Sequence, residues 1–299
     1  MDGLLLITPV RNERANIERT ARSVAAQLHP PDVWLVVDDN SDDGTAEVLS
    51  RLAEEIPFMH VLAAPPRHTV PARDRLALAA EARAFNWALG HVDRHAFTYI
   101  GKLDADVELP VDYFHRLLAA FRRDPQLGLA GGTLVERVRG EWREDRVPGY
   151  HVRGALKLYT HACFEAIGGI EERLGWDTID ETYARMRGFG TRTLRELVAR
   201  HHRAVGTADG ALRGHARHGE CAYIVRYGPA WVLLRSLKVA RYAPQGLSAS
   251  AFLYGYLRAY AQSRPRVEDE QFRRFVRHEL RTRLLGPLAN RLPLVEGKG

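Results

Sequence analysis

At 299 residues, with 45% hydrophobic and 27% charged content, the chain has a globular composition and enough apolar material for one large or two modest domains. Its two cysteines, Cys163 and Cys221, exclude a disulfide framework and lack metal-ligand spacing, so a reducing cytoplasmic setting is expected. The net charge of +6 is weighted to the end of the chain, where ten Lys or Arg stand against five acids from Arg258 to Gly299, and calls for an anionic partner.

LLLIT (4–8) is a continuous apolar run followed by Pro9, the pattern of a strand buried on both faces. Ile17, Ala21, Val24, Ala25 and Leu28 then recur at spacings of three and four, which predicts an amphipathic helix ended by His29-Pro30-Pro31. VWLVVDD (33–39) reads as a second buried strand, and Ser41, Asp42 and Asp43 before Gly44 form a turn opening a helix over about 45–55. HVLAAP (60–65) makes a third short strand. A loop rich in Pro and Arg (65–74) and a helix near 75–89 lead into the apolar run YIGKL (99–103), which exits through Asp104 and Asp106 and breaks at Pro110. This alternation predicts a βαβ series and a mostly parallel sheet. The opening MDGLLLITPV lacks a basic signal-peptide region, and no stretch reaches the roughly 18 apolar residues of a membrane span, so a soluble or peripheral protein is expected.

In open parallel sheets ligands bind beyond the carboxyl ends of the strands. TPVRNE, DDNSDDGT and DADVELP all follow apolar strands, so all three can face one crevice. No G-x-G-x-x-G and no G-K-[ST] follows a strand, which disfavours a dinucleotide dehydrogenase and a P-loop NTPase. Two carboxylates at alternate positions on a short irregular segment can share a hard divalent cation and the phosphates it carries. A solvated, helix-capping strand exit is the bland alternative.

With RAFN (83–86), KLDAD (102–106) and GGIEERLGWDTIDETYARMRGFGT (168–191) added in order, roughly the first 200 residues resemble the family 2 glycosyltransferases of GT-A fold. The resemblance implies an α/β architecture with a mostly parallel, Rossmann-like central sheet flanked by helices and a helical C-terminal extension. It also implies Mg²⁺ or Mn²⁺, a UDP- or GDP-linked sugar donor, a sugar or lipid-linked acceptor, inversion at the anomeric carbon, and a place in bacterial polysaccharide or glycolipid assembly. Carried over by position, Asp106 is the direct metal ligand and Asp104 lies near the sugar or ribose, with Lys102 and Ala105 beside it on the donor side. Asp39 meets the base, Thr8, Pro9, Val10, Arg11 and Glu13 wall the nucleotide pocket, and Arg83 meets the diphosphate. Many members carry Glu-Asp where counting back from Gly188 reaches Trp176-Asp177, so Trp176 replaces the usual Glu.

A sugar hydroxyl is a poor nucleophile at neutral pH and needs a carboxylate to take its proton. Asp177 fits that role, but Asp180 and Glu181 fall at i+3 and i+4 on the same helix and leave the assignment open. Trp176 either stacks on an acceptor sugar or is a core residue. His201 or His202 stands where members supply a further metal ligand, acceptable to Mn²⁺, with a surface pair as the alternative and His215 and His218 as weaker candidates.

Residues 227–242 and 247–260 combine apolar, aromatic and basic side chains, with Arg235, Lys238 and Arg241 interspersed, and suit a membrane interface, packing on the core, or a homodimer contact. The expected division is a catalytic domain over 1–215, with a nucleotide-sugar half to about 106 and an acceptor half over 107–215, and a helical, basic region over 216–299. A sugar-phosphate nucleotidyltransferase is the alternative enzyme, although TPVRNE lacks the glycine-rich phosphate loop. A non-catalytic glycosyltransferase-like binding module is the alternative outside enzymes. No RNA-binding motif interleaves aromatic and basic residues, so nucleic acid is not expected as a partner.

Overall fold

Leu4–Val10, the first apolar run, is β1, and every residue in it except Pro9 is buried. Val33–Asp38 is β2, Met59–Ala63 is β3 and Tyr99–Leu103 is β4; they run parallel in the order β3-β2-β1-β4. Between them lie α1 (Ile17–Ala25), α2 (Thr45–Glu55) and α3 (Ala80–Leu89). The computed structural model describes residues 3–65, 79–138, 140–202, 210–242 and 244–285; the first residues of the helix expected near 75–89, and most of the loop before it, lie outside these.

One packing expectation is corrected. The inward face of α1 is Ile17, Thr20, Ala21 and Val24, while Ala25 is exposed and Leu28 is 66% exposed. The helix stops at Ala25, so the next inward position falls on Gln27, whose amide donates to Ser23 O and Pro110 O and accepts from Phe114 N. A long polar side chain with every group bonded replaces the expected leucine in tying α1 to Pro110 and Phe114.

The second half of the sheet comes from β5 (Val107–Glu108), β6 (Leu127–Val138), β7 (Glu141–Glu144), β8 (Leu156–Thr160) and β9 (Gly190–His201). The whole order is β3-β2-β1-β4-β8-β6-β9-β5, with β7 hairpinned onto β6. β8 is antiparallel to β4 and β6, β9 is parallel to β6, and β5 is antiparallel to β9. Helices α4 (Tyr113–Arg123), α5 (His161–Ile167) and α6 (Trp176–Met186) complete this part. The result is the mixed α/β, mostly parallel sheet flanked by helices that the sequence implied.

The chain divides into two compact units, Met1–Thr207 and Ala208–Gly299. The second holds α7 (Ala211–Ile224), α8 (Pro229–Val239), α9 (Leu247–Ala261) and α10 (Glu270–Leu285). α7 and α9 cross so closely that a Cβ on Gly255 would lie 1.8 Å from Ala216 O, a contact only glycine permits. Ala222, Val232, Val239 and Phe252 form a small apolar core among α7, α8 and α9.

Candidate active site

The strand directions gather the predicted residues at one edge of the sheet. Val10 pairs with Asp38 and Asp38 with Ala63, so the loops after β1 and β2 leave together. β4 and β9 end at that edge, while β5 and β8 begin there, as the pairings Leu103 with Leu156 and Val107 with His201 require.

At the β4 exit the Asp106 carboxylate is buried, with Oδ1 3.2 Å from His201 Nε2. The other ring nitrogen of His201, Nδ1, lies 3.2 Å from Oε1 of Glu136, its cross-strand neighbour on β6. Burial opposes a charge on this imidazole, but the two carboxylates outweigh it and raise the pKa to about 10. His202, one position further on, is oriented differently: its Nε2 lies 2.8 Å from Glu108 Oε2, while its backbone N–H donates to Asp106 O. Successive residues along a strand face opposite sides, which separates the two histidines.

With the Nε2 proton displaced, this pair could hold a divalent cation. Two adjacent ligands in an octahedral shell of roughly 2.0–2.1 Å bonds are about 2.9 Å apart, close to the observed oxygen–nitrogen separation. A carboxylate on the second ring nitrogen is also the arrangement that orients a ligating histidine. Among the described residues no group of three or more His, Cys, Asp or Glu side chains forms a complete cage. One or two protein ligands plus substrate phosphates is the usual provision for Mg²⁺.

Behind this edge, Lys102 on β4 and Lys157 on β8 face each other across the strand pair and both are fully buried. Like charges placed opposite one another are unfavourable, so each requires compensation. Lys102 Nζ donates to Asp104 and to Gly154 O at 2.9 Å, and lies 3.7 Å from Glu81. Lys157 Nζ donates to both oxygens of Asp180 at 2.8 Å and to Asp177 O at 2.6 Å, and lies 3.3 Å from Glu181. Burial works against both ammonium charges, yet the surrounding carboxylates, Asp177 among them, hold both lysines above the ordinary range.

The Trp176 ring lies 5.0 Å from Lys102 Nζ and 5.3 Å from Lys157 Nζ, and its indole N–H donates to Glu81 at 2.9 Å. It is buried, and a Cβ on Gly154 would press on it at 3.1 Å. Trp176 is therefore a packed side chain that fixes the start of α6, the core alternative rather than the sugar-stacking one.

The three acids of α6 part company. Asp180 and Glu181 are buried, Asp180 accepting also from Tyr159 OH, and Glu181 accepting from Val152 N at 2.6 Å with His151 Nδ1 2.9 Å away. Burial and the neighbouring Glu181 push Asp180 up to about 6 against the pull of Lys157. Burial would also raise Glu181, but His151 and Lys157 hold it at about 2. Asp177 is half-buried, and a Cβ on Gly154, whose carbonyl accepts from Lys102, would lie 3.3 Å from the Asp177 Cβ, which sets Asp177 beside the loop before β8. Desolvation by the surrounding protein, helped by Glu81 and Asp106, raises the Asp104 carboxyl to about 6 against the attraction of Lys102, while 28% of its side chain stays open to solvent.

On the nucleotide side, the Thr8 hydroxyl accepts from the Trp34 indole at 2.9 Å and Val10 is buried, so these two side chains lie behind the wall rather than on it. Pro9 and Arg11 are more open, and Arg11 donates to Asp39 O at 3.1 Å. Asp39 is buried, with Oδ1 3.4 Å from the Asn40 amide. Glu13 accepts from Asn16 at 2.9 Å and organises the start of α1. Ala105 is buried, its carbonyl held by Thr20. Arg83 is exposed on α3, 3.8 Å from Glu172, while Asn86 donates to Ile170 O, so RAFN ties α3 to the Gly-Gly loop before α6. Glu81, Glu136, Gly154 and Lys157 join the cluster with no local sequence signal of their own. A separate cavity of about 300 Å³ near the other end of α3, lined by Asn86, Phe164 and Glu165 among others, contains none of the predicted site residues.

Residues 5–168 match the model of Glycosyl transferase family 2, and the chain belongs to that family. It is similar to the poly-beta-1,6-N-acetyl-D-glucosamine synthase of Staphylococcus aureus (strain COL), 25% identical over 133 residues, which are 44% of this chain and 29% of the relative. The succinoglycan biosynthesis protein ExoA of Rhizobium meliloti (strain 1021) is 26% identical over 195 residues, covering 56% of this chain and 53% of the relative. The chain thus spans about half or less of these relatives' lengths. Among solved structures, the mannosyltransferase PcManGT from Pyrobaculum calidifontis, in complex with GDP-Man and Mn²⁺, superposes with a TM-score of 0.57 at 20% identity, over 96% of this chain and 82% of that one. The shared fold is GT-A.

Proposed function

We propose that the chain transfers a sugar from a UDP- or GDP-linked donor to a hydroxyl of a sugar or lipid-linked acceptor, with inversion, in the assembly of a bacterial polysaccharide or glycolipid. The single observation that carries the reading is the Asp106–His201 pair at the strand exit. Family membership and the synthases among its relatives support the reaction class, and set the nucleotidyltransferase and the non-catalytic module behind it.

Asp106 and His201 would hold a Mg²⁺ or Mn²⁺ ion, with Glu136 fixing the imidazole and His202 bracing the strand from the other side. That ion, when bound, offsets the charge that grows on the diphosphate leaving group. Lys102 fixes Asp104 for contact with the sugar or ribose, while Pro9, Arg11 and Asp39 receive the nucleotide. Asp177 takes the proton of the acceptor hydroxyl as it attacks C1 from the face opposite the departing diphosphate, which inverts the anomeric centre. Asp180 and Glu181, sealed against Lys157, support the helix that carries the base.

The test is a screen of nucleotide sugars for metal-dependent thermal stabilisation, followed by an assay for release of the nucleoside diphosphate in the presence of candidate acceptors. A donor at about a hundred times its Kd adds roughly 2.7 kcal/mol of stability. Absence of any metal-dependent stabilisation across UDP- and GDP-sugars would remove the reading.

A further inference from the structure

In the second unit, each of α8 and α9 buries one stripe and exposes another. On α8 the inward residues are Val232, Ser236 and Val239, and on α9 they include Phe252, Gly255 and Ala259. Outward lie Leu233, Leu234 and Leu237 on α8 and Tyr254 and Leu257 on α9, all between 49 and 67% exposed. Five large apolar side chains facing outward on two adjoining helices exceed the scatter expected of an ordinary surface.

The charges around them have one sign. From Cys221 to Val267 the sequence contains no Asp or Glu and seven Lys or Arg. Among the described residues, Arg235, Lys238 and Arg241 have no carboxylate partner, whereas the cations of α10 are laced with acids, as in the Arg273–Glu270 and Arg283–Glu279 pairs. A two-fold contact with a second copy would set this patch against itself and oppose cation to cation. No helix among the described residues is long and apolar enough to cross a bilayer. Apolar side chains with lysine and arginine interspersed on a non-spanning helix are the features of interfacial binding, in which leucine and tyrosine enter the headgroup boundary and the cations meet lipid phosphates.

We infer that the outward stripes of α8 and α9 dock on an anionic lipid bilayer, lying in its interface without spanning it. The inference is independent of the proposed transfer reaction, because it rests on no residue of the strand-exit edge.

The test is co-sedimentation of the full chain with phosphatidylglycerol–phosphatidylcholine vesicles and with pure phosphatidylcholine vesicles. Retention on the anionic vesicles is expected, falling as salt rises. Neutralising Arg235, Lys238 and Arg241 to Gln should weaken it about a hundredfold, at about fivefold for each charge lost near the surface. The double variant Leu234→Ala, Leu237→Ala should weaken it by at least about tenfold, and its thermal unfolding should match wild type because both leucines lie on the outer face. Equal retention by both kinds of vesicle with no effect of the charge variant overturns the inference. So does failure to bind either kind, including the case in which sedimentation velocity finds a dimer that the leucine variant dissolves.

Discussion

Lys102 and Lys157 are the same residue, equally buried and paired across two strands, yet their surroundings differ. Lys157 faces Asp180 and Glu181, whose side chains are each 1% exposed, in a sealed cluster where every charge is answered inside the protein. Lys102 faces Asp104 and Glu81, which are 28% and 34% exposed and open onto the strand-exit edge. Sealed carboxylates have no access to a ligand and serve the fold. Open ones can exchange protein and water contacts for a substrate. The two lysines thus set a sealed carboxylate pair apart from an open one, with the Trp176 ring packed against both.

Substitutions on the two sides should therefore fail in different ways. The largest effect is expected at Asp177: Asp177→Asn should lower turnover by about a hundredfold to ten-thousandfold, with donor affinity and thermal stability nearly unchanged. Steady-state kinetics beside donor titration would separate the two, and a dead Asp180→Asn beside an active Asp177→Asn would reverse the assignment. Lys157→Met comes next, because it strands two buried carboxylates. It should cost about 3–5 kcal/mol in urea unfolding. A wild-type denaturation midpoint would mean that the cluster is not sealed.

Glu181 carries a pH signature. Its carboxyl is held at about 2 in the folded chain, below its ordinary value of 4.5, so its contribution is complete above that ordinary value and is lost as pH falls through 2. Glu181→Gln should cost about 2 kcal/mol near neutral pH, and the gap from wild type should close between those two pH values. A gap independent of pH would contradict the pairing with His151 and Lys157. Lys102→Met should show the smallest loss, about 1–2 kcal/mol, since Asp104 and Glu81 can turn to water. A loss equal to that of Lys157→Met would erase the contrast.

The apolar runs made β1, β2 and β4 legible because a strand buried on both faces leaves an unbroken signal, and the acids at the β4 exit were legible because they interrupt one. The turn at Ser41–Gly44 placed α2, and periodicity placed α1 but failed at Leu28, where the helix ends a turn early and the burial phase shifts to Gln27. Helical spacing of i, i+3 and i+4 grouped Asp177 with Asp180 and Glu181, because sequence spacing alone does not say which charged side chains a buried lysine will claim. Lys157 lies 55 positions beyond Lys102, and their pairing is a fact of sheet register that nothing local encodes. Register likewise divides His201 from His202, since a shift of one residue along a strand reverses the face.

The central claim, that Asp106 and His201 together hold the cation on which donor binding depends, is tested most directly by calorimetric titration of UDP and GDP into wild type, Asp106→Asn, His201→Ala and His202→Ala, each with and without Mn²⁺. Binding that depends on Mn²⁺ is expected in wild type and in His202→Ala, at least about tenfold weaker in His201→Ala, and absent in Asp106→Asn, with the fold intact in all four. Undiminished Mn²⁺-dependent binding by Asp106→Asn, or its loss in His202→Ala but not in His201→Ala, would contradict the assignment.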